Sequence, residues 1–181
     1  MMVGAVLTQN TNWKNVEKAI AALEKQDLLD FHSLLDLSPE QLALHIKPAG
    51  YHNLKAKRLH NLLRMIEESY GGNIDSLLKD ETERGRKNLL AVKGVGEETA
   101  DCILLYGGGH AAFVVDAYTH RVFSRHHLVE EQCSYGELQE RFVSNLPVDV
   151  NVYGQYHALI VQLGKEYCKK KNPRCSSCPL D

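Results

Sequence analysis

Three thiols crowd the end of the chain, Cys168, Cys175 and Cys178, in the spacing C-x6-C-x2-C. Thiolates grouped this way are ligands for a metal or an iron–sulfur cluster. Cys102 and Cys133 stand apart, and an odd total with no secretion signal argues against a disulfide framework. Chance spacing is the plainer alternative, since three ligands are one short of four. A second signal is Asp116, which closes the apolar run Phe113-Val114-Val115 where a helix should begin. It reads as an N-cap, and as a carboxylate kept ionised by hydrogen bonds and the helix N-terminus. A fixed carboxylate can stabilise a developing oxocarbenium ion or orient water to attack one. Plain capping is the competing reading. The third signal is Gly94-Val95-Gly96, set between the apolar stretch Leu89–Val92 and the helix-forming Glu97-Glu98-Thr99-Ala100. Two glycines permit a tight turn, and the free amides and dipole at the start of the second helix attract a phosphate. Such contact would position a duplex without reading its sequence. An ordinary corner between two helices is the alternative, and Glu97 and Glu98 would weaken a phosphate site unless they point away.

The elements that must carry these residues read almost entirely as helices. Asn12 or Thr11 can cap a helix through Glu24, with Val16, Ile20 and Leu23 on one face. Ser38-Pro39-Glu40-Gln41 combines a cap, a proline at the first helical position and a capping-box glutamine. Asn53 can open a helix with Ala56, Leu59, Leu62, Leu63 and Ile66 inward, closed by Gly71-Gly72. Ser134 and Glu137 form another box, on a helix that Pro147 stops, and Tyr156, Leu159, Ile160 and Leu163 stripe a last one. Only Ala112–Val115 resembles a strand, and it is too short and isolated to build a sheet. The expected architecture is all-α, with roughly ten short helices by average helix length.

The chain has 181 residues, 44% hydrophobic and 24% charged, the mix of a globular protein. Twenty-one Lys and Arg against 23 Asp and Glu leave a formal charge of −2, which excludes a strongly basic nucleic-acid coat but not a local basic face. No apolar run approaches the ~18 residues of a membrane span. Met1–Leu7 lacks the charged flank and cleavage site of a signal peptide. A cytoplasmic, nucleoid location follows by default. Both ends are abrupt, so the chain is expected to be a fragment. The nine histidines show no ligand spacing.

Taken in register, G-V-G-x-x-T-A, V-V-D with Asp116, and the terminal cysteines resemble the helix-hairpin-helix (HhH-GPD) DNA glycosylases of the endonuclease III superfamily. Val6-Leu7-Thr8-Gln9-Asn10-Thr11 is similar to the family's segment carrying a glutamine that fills the gap left by a flipped base. Gly50-Tyr51-His52-Asn53-Leu54-Lys55-Ala56 resembles its loop that wedges the opposite strand. The resemblance implies a two-lobed helical fold, with residues 1–110 forming a helical barrel that carries the hairpin. Residues 111–181 would then present Asp116 and the cysteine loop. It implies base excision repair of double-stranded DNA by a monomer, with a damaged base rotated into a pocket between the lobes. Contacts to DNA would come from Gln9, Asn10, Tyr51, His52, Lys55, Gly94, Val95, Gly96, Thr99, Lys169 and Lys170. Cys168, Cys175 and Cys178 would be three ligands of a [4Fe–4S] cluster whose fourth falls just beyond Asp181. That cluster would staple a basic loop rather than serve redox chemistry.

The chain departs from the bifunctional members at one position. Where they carry a lysine two residues after the second hairpin glycine, this sequence has Glu98. A carboxylate cannot form the Schiff base needed for strand cleavage. The resemblance therefore points to a monofunctional enzyme using water, like the bacterial 3-methyladenine glycosylase branch, with Asp116 and Glu98 as the catalytic positions. The alternatives are a bifunctional glycosylase and AP lyase acting on oxidised pyrimidines, and a non-catalytic DNA-binding module. Two basic patches are expected to meet phosphates: Lys165, Lys169, Lys170, Lys171 and Arg174 near the end, and Lys55, Lys57, Arg58 and Arg64 along one helix. Trp13 is read as core or staple and His120 as a surface histidine, with contact to the cleft as its alternative; a pocket-facing Tyr118 is the lesser of its two readings.

Overall fold

A computed structural model describes residues 1–180. Among them are eleven α-helices and no strand: α1 (Met2–Leu7), α2 (Trp13–Glu24), α3 (Phe31–Asp36), α4 (Pro39–His45), α5 (His52–Tyr70), α6 (Ile74–Leu78), α7 (Thr82–Leu90), α8 (Glu97–Ile103), α9 (Ala117–Arg125), α10 (Tyr135–Val143) and α11 (Val150–Glu166). The chain divides into two compact units, Met1–Gly108 and Gly109–Asp181.

Most helix starts lie where side-chain oxygens can accept the first free amides. Asn12, Asp30, Asn73 and Asp149 cap α2, α3, α6 and α11, and Ser38 and Ser134 form capping boxes with Gln41 and Glu137. The first unit is built around α5, whose Ala56, Leu59, Leu62 and Ile66 are fully buried against α1, α3, α4 and α6. Each buried leucine there contributes about 2 kcal/mol by removal from water. The helix begins at His52, one residue before the expected Asn53, and left-handed Gly71 (φ 59°) ends it, its amide returning to the carbonyls of Ile66 and Glu67. Arg86 on α7 grips buried Asp101 on α8 with two hydrogen bonds of 2.7 and 3.1 Å, which fixes the two arms of the hairpin.

In the second unit the segment expected to look like a strand, Ala112–Val115, forms no regular element and pairs with no strand. Two of its backbone groups are met by side chains of α10 instead. Gln139 donates to the Phe113 carbonyl at 2.6 Å, and the Val115 amide donates to the Tyr135 hydroxyl oxygen at 3.3 Å. Phe113 stacks on Phe142 (4.0 Å, 12°) and meets Tyr153 edge-on at 5.4 Å. The inward face of α11 differs from the predicted stripe. Ile160 of that stripe is buried and Leu163 half-buried, but Tyr156 (44% exposed) and Leu159 (63%) face solvent, and Tyr153 and Gly164 complete the buried row. The row is set by α9. A Cβ on Gly164 would stand 2.5 Å from Tyr118 Cδ1, so the smallest residue, not a leucine, meets that ring. Pro147 also does not end α10, which stops at Val143.

Candidate active site and DNA-contact face

The turn between α7 and α8 demands glycine at Gly94. Its φ is +103°, and a Cβ there would lie 2.3 Å from Arg58 Cγ. Val95 is buried at 6% exposure and its amide donates to the Val92 carbonyl at 3.0 Å. Asn61 donates to the Lys93 carbonyl at 2.9 Å. Gly96 caps α8 with extended backbone and supplies no side-chain bond to the first amides. Those amides and the helix dipole make this turn attractive to an anion. Glu97 leans to Arg86, 3.8 Å away, and the Glu98 side chain is exposed.

Gln9 is held on this hairpin. Its Nε2 donates to the Gly94 carbonyl at 3.1 Å and to Thr99 Oγ1 at 3.0 Å, and Arg58 Nη1 donates to its Oε1. The buried Thr99 side chain is thus occupied by Gln9 rather than presented outward. Asn10 is exposed in a left-handed conformation (φ 54°). Gly50 and Tyr51 are consecutively left-handed (φ 68° and 45°), and the Tyr51 ring is 70% exposed beside half-buried His52. A bulky residue in that region is strained, a cost that persists where the surroundings impose it.

Lys55 corrects the sequence reading. It is 1% exposed, and its Nζ donates to the carbonyls of Leu7 (2.8 Å) and Ala49 (2.7 Å). Burial, with the nearby Arg58 charge, pulls its pKa below the ordinary lysine value. It therefore does not belong to a phosphate-facing patch; Lys57 and Arg64 stay exposed, and Arg58 is engaged with Gln9. Trp13 is 46% exposed, its ring lying over Gly4.

In the second unit Asp116 caps α9 through a reciprocal box. Its Oδ1 accepts from the Thr119 amide at 2.7 Å and the Thr119 hydroxyl at 2.8 Å. His157 Nε2 lies 3.6 Å from the other oxygen, with both side chains nearly buried. Burial pushes the Asp116 carboxyl up, but His157 and the Thr119 bonds outweigh it and hold the pKa below the ordinary value. Asp116 is therefore an ionised, oriented carboxylate at neutral pH. His157 was not legible beforehand, because it sits on the α11 face that the leucine stripe misassigned. Tyr118 packs on Gly164, with the Arg121 guanidinium 4.9 Å and the Lys165 ammonium 6.0 Å from its ring centre. His120 is half-buried on α9.

A pH prediction follows from this pair. A carboxyl with a depressed pKa stays charged, and keeps its stabilising contribution, until pH falls through the folded value. In His157→Asn the lowering partner is gone and burial remains. The acid limb of the base-release pH profile should move to higher pH, and an unmoved limb would remove His157 from the site.

The cysteine loop is organised by arginines of α9. Arg121 donates to the carbonyls of Cys168 (2.7 Å) and Gly164 (3.0 Å), and Arg125 donates to those of Lys169 (2.7 Å) and Lys170 (3.1 Å). Cys168 is buried, with Arg125 Nη1 3.5 Å from its Sγ, Cys178 is half-buried and Cys175 is exposed. Among the described residues no three Cys, His, Asp or Glu side chains come together as a metal-holding group. Two surface hollows of about 370 and 430 Å³, one lined by Glu24, Asp27, Leu29 and Asp30 and the other by His32 and Gly71–Asp75, contain none of the candidate residues. No helix is long and apolar enough to cross a membrane.

A chain whose described residues are all helical in their regular structure, with a helix–GVG–helix turn and a helix-capping aspartate after a buried apolar segment, is a helix-hairpin-helix protein in class. The chain belongs to the HhH-GPD superfamily of base excision DNA repair proteins, whose profile matches residues 3–148. It is 48% identical over 99% of its length to a Methanocaldococcus jannaschii protein provisionally named DNA repair glycosylase, covering 82% of that protein. It is 31% identical to the endonuclease III of Thermotoga maritima, covering 99% of this chain and 79% of that one. Among solved structures, the H. pylori 3-methyladenine DNA glycosylase bound to 1,N6-ethenoadenine superposes with a TM-score of 0.79 at 28% identity, over 91% of this chain and 83% of that one. An endonuclease III–DNA complex at 24% identity shares the fold, with a TM-score of 0.84 over 99% of this chain and 78% of that one. The protein is a base excision repair DNA glycosylase.

Proposed function

We propose that the chain is a monofunctional glycosylase that hydrolyses the N-glycosidic bond of a flipped alkylated purine, such as 3-methyladenine, and leaves the strand intact. The observation that carries this reading is Glu98, an exposed carboxylate two residues beyond Gly96, where imine chemistry would require an amine. Water then attacks the anomeric carbon and releases a proton to solvent, the glycosidic bonding pair leaves with the base, and Asp116 stabilises the positive charge that develops on the sugar. A purine nucleoside alkylated at a ring nitrogen, as in 3-methyladenine, already carries positive charge that weakens its glycosidic bond, which suits a site with a carboxylate and water and no amine. Support for that lesion class comes from the 28% identical H. pylori protein, named for 3-methyladenine.

In this reading residues 1–110 grip double-stranded DNA. The Gly94-Val95-Gly96 turn meets the backbone through the uncapped amides at the start of α8, Thr99 holds Gln9 beside it, Gln9 and Asn10 face the gap left by the base, and Tyr51 and His52 lean on the opposite strand. Residues 111–181 supply Asp116, and the basic loop with Lys169 and Lys170 meets phosphate. The iron–sulfur assignment rests on the spacing of Cys168, Cys175 and Cys178 alone and takes no part in bond cleavage. Iron and sulfide analysis of the purified protein tests it.

The test is a panel of duplexes carrying single alkylated purines or oxidised pyrimidines, scored for base release with and without alkali. Strand breaks should appear only after alkali, and borohydride should trap no covalent adduct. An adduct, or nicking without alkali, would favour the alternative of a bifunctional glycosylase and AP lyase.

A further inference from the structure

We infer that Lys55 is a positioning residue that locks the Gln9–Asn10 loop and the Tyr51 loop in one register for entry into DNA. This rests on the reading of those two loops given above. The Lys55 ammonium joins them at their roots. Leu7, whose carbonyl it binds at 2.8 Å, is the last residue of α1, two before Gln9. Ala49, bound at 2.7 Å, ends a short 3-10 turn two residues before Tyr51. Carbonyls at helix ends lack partners within the helix, so one buried cation satisfies two such ends that belong to different loops.

The rest of each loop is weakly determined by its own sequence. Asn10, Gly50 and Tyr51 all adopt left-handed backbone, and the Tyr51 ring is largely in solvent. The position of each tip therefore depends on where its root is held. One turn along the same helix, Arg58 binds Gln9, which in turn binds Gly94 and Thr99. The face of α5 that carries Lys55 and Arg58 thus aligns both loops with the hairpin. A purely structural role for Lys55 would stabilise the unit without affecting how the loops treat a gap in the duplex. A positioning role predicts that gap recognition fails while hairpin-based binding survives. Misplacement by about an ångström is enough to degrade an oriented contact severely.

The experiment compares binding to an undamaged duplex with binding to one carrying a tetrahydrofuran abasic-site analogue opposite 2-aminopurine. Fluorescence of the 2-aminopurine reports loop insertion. In Lys55→Gln the preference for the analogue should fall about tenfold, equivalent to ~1.4 kcal/mol, with undamaged-duplex affinity nearly unchanged. Lys55→Arg keeps the charge but moves the donors. It serves if the Gln variant does not fold, and should still lose a measurable part of the preference and of the fluorescence change. Gln9→Ala and Tyr51→Ala are run alongside. If they abolish the preference and a folded Lys55 variant keeps it in full, the inference is overturned and the loop reading stands. If they leave the preference intact, the loop reading fails and takes the inference with it.

Discussion

Asp116→Asn is expected to slow base release by about 10²–10³-fold, the scale of removing one preorganised electrostatic group from a transition state. The substitution isolates charge from architecture. Asn is as good an N-cap as Asp, and its side-chain oxygen can still accept from the Thr119 amide, so α9 should start as before. What disappears is the negative charge that His157 and Thr119 hold in place against burial. Single-turnover release from an alkylated duplex, run with a binding assay and a thermal melt, separates the effects. The rate should collapse while duplex affinity and Tm stay near the parent values. A variant that releases bases as fast as the parent would place catalysis elsewhere in the chain.

Gly94→Ala should cost both stability and DNA affinity. Alanine at φ +103° pays backbone strain of about 1–3 kcal/mol. Its Cβ also collides with the Arg58 side chain close to its root, where that chain cannot swing aside without leaving Gln9. The turn must open, and the α8 amides shift from where a phosphate would sit. Denaturant unfolding should show the stability loss, and undamaged-duplex binding should weaken and lose part of its salt dependence. Gly96→Ala is the control. It has φ −100° and open space around its Cβ position, so it should be much milder. Equal effects at both glycines would mean that the turn is not what grips DNA.

The parts of this molecule that were legible beforehand depend on neighbours a few residues apart. The boxes at Ser38 and Ser134, the cap at Asn12, the glycine end of α5 and the capping role of Asp116 each join residues within one helical turn. The buried face of α5 follows from apolar spacing alone. On α11 the stripe placed Ile160 rightly but missed Gly164, because α9 presents the Tyr118 ring and a Cβ would collide with it. Lysine in a helical run of Lys and Arg reads as a solvated face, and nothing in the spacing marks Lys55 as the one turned inward.

By itself the sequence determined the all-helical class, the capped starts of α2, α4 and α10, the glycine end of α5 and the capping role of Asp116, because these are set by local backbone sterics and nearest-neighbour hydrogen bonds. Only the tertiary structure decided the long-range pairings: Lys55 with Leu7 across 48 positions, Gln9 with Gly94 across 85, and Asp116 with His157. Such contacts form because packing removes a polar group from water and leaves it to bond with whatever partner the fold brings within reach. That partner is chosen by how helices cross in space, and the order of residues along the chain carries no local trace of it.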